Sequence, residues 1–221
     1  TIDNPELYFQ CKIYTGDGVN GRSLTFDGDE NMQPDLVWTK CRSHTVDHGV
    51  QDSVRGVGKV FHTNSTSAEG TDNWLLSLDS DGFTLSNSNE VNQSTRTFVA
   101  WCWKESATAG FDIVTYTGNG SARTISHSLS AVPHMMIVKV RDTSDGWMIY
   151  HTDNTSGPET DFLRLDNTDA TTDNANMWND TAPTSSVFTV GIDGGVNANT
   201  ESYINYLFTN IQGYSKFGTF T

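Results

Sequence analysis

The chain has 221 residues, 11% of them aromatic and 18% charged, with 13 Lys and Arg against 27 Asp and Glu for a formal net charge of −14. A hydrophobic fraction of 35% is enough for a core and excludes charge-driven disorder, while the acidic balance without any basic cluster argues against nucleic acid and against an anionic bilayer. No run approaches the roughly 18 apolar residues of a membrane span, and residues 1–10 lack the basic start and apolar stretch of a signal peptide, so a soluble chain without membrane insertion is expected, either a processed product or a segment of something longer.

Clusters of Gly, Asn, Asp, Ser and Thr break the sequence at short intervals. Ile13-Tyr14-Thr15-Gly16-Asp17-Gly18 reads as a strand entering a turn, and Asp27-Gly28-Asp29-Glu30 as an acidic turn. Asp27, Asp29 and Glu30 are candidate ligands for calcium, a hard cation that takes oxygen donors. Asp79 with Asp81, and Asp166 with Asp169 and Asp173, are further acidic turns. The plainer alternative for all of them is solvation, and no cofactor other than calcium is expected. Leu36–Lys40, Phe98–Trp103 and Met135–Met136 through Lys139 are short, β-branched or aromatic, and bounded by turn formers, which is the strand signature. His44 and His48 are four apart, a metal-friendly spacing only on a helix, and their surroundings are not helical. The polar stretch 166–176 reads as loop, and no window sustains a helical period. Nearly all-β structure follows, with strands of about four to eight residues.

An internal repeat organises the chain. Ile13 to Gly18 is echoed by Thr115-Tyr116-Thr117-Gly118-Asn119-Gly120, and Pro34 to Arg42 by Pro133 to Arg141. Gly82-Phe83-Thr84-Leu85 is echoed by Val187-Phe188-Thr189-Val190, and Thr97 to Trp103 by Ser202 to Phe208. Four blocks in one order imply a tandem duplication, residues 6–105 and 110–221, each folding as a small antiparallel β-sandwich. The rival is two halves of one larger sandwich. Cys11, Cys41 and Cys102 fall on Ile113, Val140 and Leu207, so all three are expected as core fillers without disulfide or zinc chemistry. Trp74 and Trp178 are expected as equivalent core or rim residues.

Nucleophile-elbow, phosphate-loop and dinucleotide signatures are missing, and the six histidines lie singly. A glycosidase on a sandwich would carry two facing carboxylates; the nearest case, Asp27 with Asp29, reads as a turn. What remains is recognition. Sugars present a flat apolar face and a ring of hydroxyls, matched by an aromatic platform with polar neighbours. Trp147, Tyr150, His151, Asp153 and Asn154 have that makeup and are the candidate glycan site, with an ordinary strand-to-loop transition as the structural alternative.

Tyr116 to Gly120, Pro133 to Arg141, Trp147 to His151 and Ser185 to Gly191, with Asp52 to Gly56, Asp79 to Phe83 and Val99 to Lys104 in the first copy, resemble a domain of unknown function from tailed-phage virion proteins, which recurs as tandem copies in tail fibres. The resemblance implies a lectin-like, jelly-roll sandwich on a virion, assembled in the host cytoplasm, and brings no catalytic residues. The expected function is a non-enzymatic, homo-oligomeric tail fibre or receptor-binding module for a host-surface glycan. The alternatives are an architectural component binding other virion proteins, and a polysaccharide depolymerase.

Overall fold

The computed structural model describes residues 1–219. The fold is all-β, its sheets antiparallel, and the chain divides into two compact units. The first runs from Asn4 to Glu105; the second takes up the chain from Ser106 and includes Thr1–Asp3, where the Ile2 amide donates to Gln212 O at 3.1 Å.

The first unit contains β1 (Phe9–Thr15), β2 (Arg22–Leu24), β3 (Leu36–Cys41), β4 (His48–Asp52), β5 (Phe61–His62), β6 (Leu75–Asp79), β7 (Gly82–Leu85), the four-residue helix α1 (Asn89–Asn92) and β8 (Thr97–Trp103). One sheet has the order β1-β8-β3-β4-β5 and the other β2-β7-β6. Side chains two apart share a face, so Val37 and Cys41 of β3 and Phe98, Ala100 and Cys102 of β8 point inward. There they meet Tyr14, Leu75, Phe83 and Leu85. Burying each large side chain of this set contributes roughly 1.5–3 kcal/mol.

The second unit contains β9 (Phe111–Thr117), β10 (Arg123–Ser126), β11 (Met135–Val140), β12 (Met148–His151), β13 (Asp161–Arg164), β14 (Thr172–Asp173), α2 (Ala175–Trp178), β15 (Val187–Val190), α3 (Gly194–Asn197) and β16 (Ser202–Phe208). Its sheets run β9-β16-β11-β12-β13-β14 and β10-β15. Counted along each unit, the larger sheet begins first, eighth, third, fourth, fifth in both, and the second strand pairs the seventh in both. The sixth strand lies in the smaller sheet of the first unit and the larger sheet of the second. The stretch expected as loop over 166–176 contains β14 and the start of α2. These elements are too short to leave a period in the sequence.

The repeated turn motif has a physical basis. The Tyr14 hydroxyl donates to Val91 O at 2.8 Å, and the Tyr116 hydroxyl to Val196 O at 2.8 Å. The Asn92 amide group donates to Ser86 O and Val19 O, and that of Asn197 to Gly191 O and Ser121 O. A Cβ on Gly16 would lie 2.2 Å from Gln93 O, and one on Gly118 would lie 2.0 Å from Ala198 O. Both turns therefore pass so close to the neighbouring backbone that only glycine fits.

Cys41 and Cys102 are buried, but Cys11 is exposed. The expectation of a third core filler fails because Tyr14 fixes the inward face of β1, and the strand's alternation then turns Cys11 and Ile13 outward; Ile13 is 59% exposed.

Candidate functional site

The residues proposed from sequence for glycan contact separate into two groups. Trp147 is 1% exposed and Tyr150 is enclosed in the core, where its ring meets Trp178 edge-on at 6.0 Å. Neither ring can offer a platform, which corrects the sequence reading. The physical reason is that this strand is covered on both faces: Met148 and Tyr150 point into the core, and Trp147 and Ile149, on the other side, are buried as well. Burial raises the Tyr150 pKa, and the Trp147 amide is tied to Asp166 Oδ1 at 2.7 Å. The polar group does reach the surface. His151 and Asn154 line a shallow recess of about 230 Å³ with Leu163, Gly218 and Thr219, and exposed Asp153 donates its amide to His151 Nδ1 at 3.2 Å.

The candidate calcium ligands are each engaged separately. Asp27 pairs with Lys12, the Asp29 amide donates to Glu6 Oε2, and Glu30 Oε1 accepts from Asn4 Nδ2 at 3.3 Å. Among the described residues no three His, Cys, Asp or Glu side chains form a group able to hold a metal ion.

A different recess, of about 380 Å³, opens in the first unit. It is lined by Asp47, His62, Asp72, Asn73, Trp74, Ser88 and Glu90. Trp74 borders it but is only 3% exposed, its six-membered ring lying over Gly49 of β4; a Cβ on Gly49 would stand 2.0 Å from Cζ3. His62, from the two-residue strand β5, leans on the indole with ring centroids 5.2 Å apart. His62 Nδ1 lies 2.7 Å from Asp47 Oδ2, and Asn64 Nδ2 donates to Asp47 Oδ1 at 2.9 Å. Donation by Asn64, and then by His62, holds the Asp47 carboxyl below the usual carboxylate range despite partial burial. On the far wall Ser88 caps α1, accepting the Glu90 amide at 3.3 Å. Glu90 Oε2 is sealed from solvent and accepts no hydrogen bond.

The second unit differs at the corresponding positions. Where the first has Gly49 and Glu90, the second has Met148 and Gly195, at offsets of 99 and 105 that also relate the repeated blocks. A Cβ on Gly195 would lie 2.6 Å from Met148 Cε, so the methionine occupies that space. Beside it Asn174 Nδ2 donates to Asp193 Oδ2 at 2.9 Å. Trp178 has a different seat from Trp74, donating Nε1 to Asp161 O at 2.9 Å. Sequence reasoning missed the recess because its residues are spread over 47–90, and only the differences between the offset-related positions at Gly49 and Glu90 could have pointed to it.

No curated protein and no solved structure matches the chain. The family model for a domain of unknown function (DUF7483) matches residues 4–221, spanning both units together, and the chain belongs to that family.

Proposed function

We propose that the chain is a non-enzymatic recognition module of a tailed-phage virion, a tail fibre or receptor-binding part, that takes a host-surface glycan in the His62 recess. The observation that carries this reading is the recess itself, a polar hollow in the first unit bordered by Asp47, His62, Asn73, Ser88 and Glu90. Hydroxyl groups of a saccharide would meet Asn73, Ser88 and the carboxylates, which is the mixture of acceptors and donors such ligands need. Asp47, which accepts from Asn64 at 2.9 Å and lies 2.7 Å from His62 Nδ1, is fixed in place on one wall of the recess. The motifs resembling those of phage virion proteins supply the biological setting. In a homo-oligomer, one modest site per chain gains avidity from repetition.

The test is binding of the purified chain to host cells and to a glycan array, comparing wild type with Asn73→Ala and Glu90→Gln. Saccharide binding that both substitutions weaken supports the reading. Binding untouched by both, or no binding by wild type, overturns it. A purely architectural role, with other virion proteins as partners, is the second reading. It is favoured by β1, an edge strand of its sheet that turns Ile13 and Cys11 outward.

A further inference from the structure

We infer that two copies of the chain join through β1, edge strand to edge strand, in an antiparallel pair centred on Cys11. This contact stands apart from the saccharide recess and supplies the pairing surface of a homo-oligomer. β1 lies at the edge of its sheet, and among the described residues no strand pairs its outer side. The Lys104 amide donates to Tyr8 O at 2.9 Å and the Gly16 amide to Arg96 O at 2.8 Å. In the unbroken antiparallel register, the even-numbered residues therefore turn their backbone groups toward β8. Those of Phe9, Cys11, Ile13 and Thr15 point the other way, out of the sheet edge, where Cys11 is exposed and Ile13 is 59% exposed. Natural edges are guarded by proline, a bulge or an outward charge. β1 runs seven residues with neither of the first two, and its one charge, Lys12, is held by Asp27.

Self-complementarity singles out a second copy as the partner. A two-fold contact sets the strand against itself, and the free groups leave few registers. Centring the pair on Lys12 opposes two lysines, which is unfavourable. That register, and one centred on Ile13, also call on Thr15 O, which already accepts from Arg22 Nη1. Centring on Gln10 sets Ile13 against Leu7, which lies inside the 3-10 turn Pro5–Leu7. Centring on Cys11 uses only free groups: Phe9 exchanges hydrogen bonds with Ile13 of the other copy, Cys11 with its own counterpart, and Lys12 falls opposite Gln10. The apolar side chains match as well, since exposed Ile13 comes beside Phe9, whose ring already leans on Trp103 with centroids 5.0 Å apart. Residues 9–15 carry no acidic group in a chain of net charge −14, so two like-charged molecules can meet there.

Sedimentation velocity of the full chain across micromolar concentrations tests this, comparing wild type with Cys11→Pro, Ile13→Lys and Cys11→Ser. Proline at position 11 removes an N–H that faces away from β8 and so spares the sheet's own ladder. Ile13→Lys keeps every N–H and adds the charge that guards natural edges; circular dichroism shows which variants are folded, and either one decides the matter if the other unfolds. The expected result is a dimer for wild type and Cys11→Ser, with dimerisation weakened about tenfold or more by Cys11→Pro and by Ile13→Lys. Mild oxidation with copper phenanthroline tests the register. Cα atoms of the two Cys11 residues would lie about 5.5 Å apart, within disulfide reach, so wild type gives a covalent dimer. Cys11→Ser combined with Ile13→Cys gives none, because the two positions 13 would lie about 14 Å apart. A monomeric wild type, or a dimer left intact by both Cys11→Pro and Ile13→Lys, overturns the inference; cross-linking through position 13 and not 11 overturns the register.

Discussion

Replacing Gly49 with alanine is the sharpest perturbation of the recess. Gly49 has no left-handed backbone, so the cost is purely steric. The new methyl would stand 2.0 Å from Trp74 Cζ3 and 2.4 Å from Cε3, and the ring must withdraw by about 1.5 Å to regain an ordinary carbon–carbon separation. Trp74 packs in the first core with Leu75 and Leu85 and against His62, so displacing the indole disturbs the core and the His62 contact at once. Overpacking of this kind costs about 1–3 kcal/mol, which for a unit the size of Asn4–Glu105 lowers the melting midpoint by several degrees or more. Differential scanning calorimetry gives the midpoint, near-ultraviolet circular dichroism reports the tryptophan seat, and calorimetric titration gives ligand affinity. All three should change together. An alanine variant with an unshifted midpoint and unaltered aromatic spectrum would refute the seating of Trp74 on Gly49.

Three other outcomes follow from the same structure. Trp147→Ala should lower stability by about 3–5 kcal/mol in chemical denaturation, because the side chain is buried; a stable variant that had lost only saccharide binding would restore Trp147 to the site. Asn205 is fully buried in β16 with neither amide atom bonded, so Asn205→Leu should stabilise the chain by about 1–2 kcal/mol, and destabilisation would mean that the amide has a solvent partner. Burial pulls the Lys139 pKa down to about 8 while its Nζ donates to Asp145 O at 2.8 Å. The unfolded chain then holds more protons than the folded one between pH 8 and the ordinary lysine value, so this group's stability contribution is poorest below pH 8 and improves as pH rises through that window. The stability difference between wild type and Lys139→Met should show this slope above pH 8, and a flat difference would contradict it.

Much of the scaffold was legible. β3, β8 and β11 coincide with the apolar runs Leu36–Lys40, Phe98–Trp103 and Met135 to Lys139 to within a residue, because short β-branched or aromatic runs between turn formers mark buried strands directly. The site was not. Trp147 and Tyr150 looked available because an aromatic beside polar residues resembles a sugar platform, but a strand buried on both faces hides its rings whatever follows it in sequence. His151 and Asn154 emerge only where the chain leaves that strand. Conversely Trp74 and His62 meet through β4 and β5 pairing, Gly49 opposite His62, and a two-residue strand such as β5 carries no detectable pattern. The side chain absent from Gly49 matters as much as those present, and an absence has no motif.

The central claim is that the first unit holds the ligand site. Two-dimensional amide and indole NMR during titration with a saccharide that binds on the glycan array tests it most directly, since Trp74 and Trp178 give separate indole signals. The account predicts progressive shifts at the Trp74 indole and the Gly49 and Glu90 amides, with the Trp178 indole and the Met148 and Gly195 amides unmoved; shifts confined to the second unit, or none in either, would contradict it.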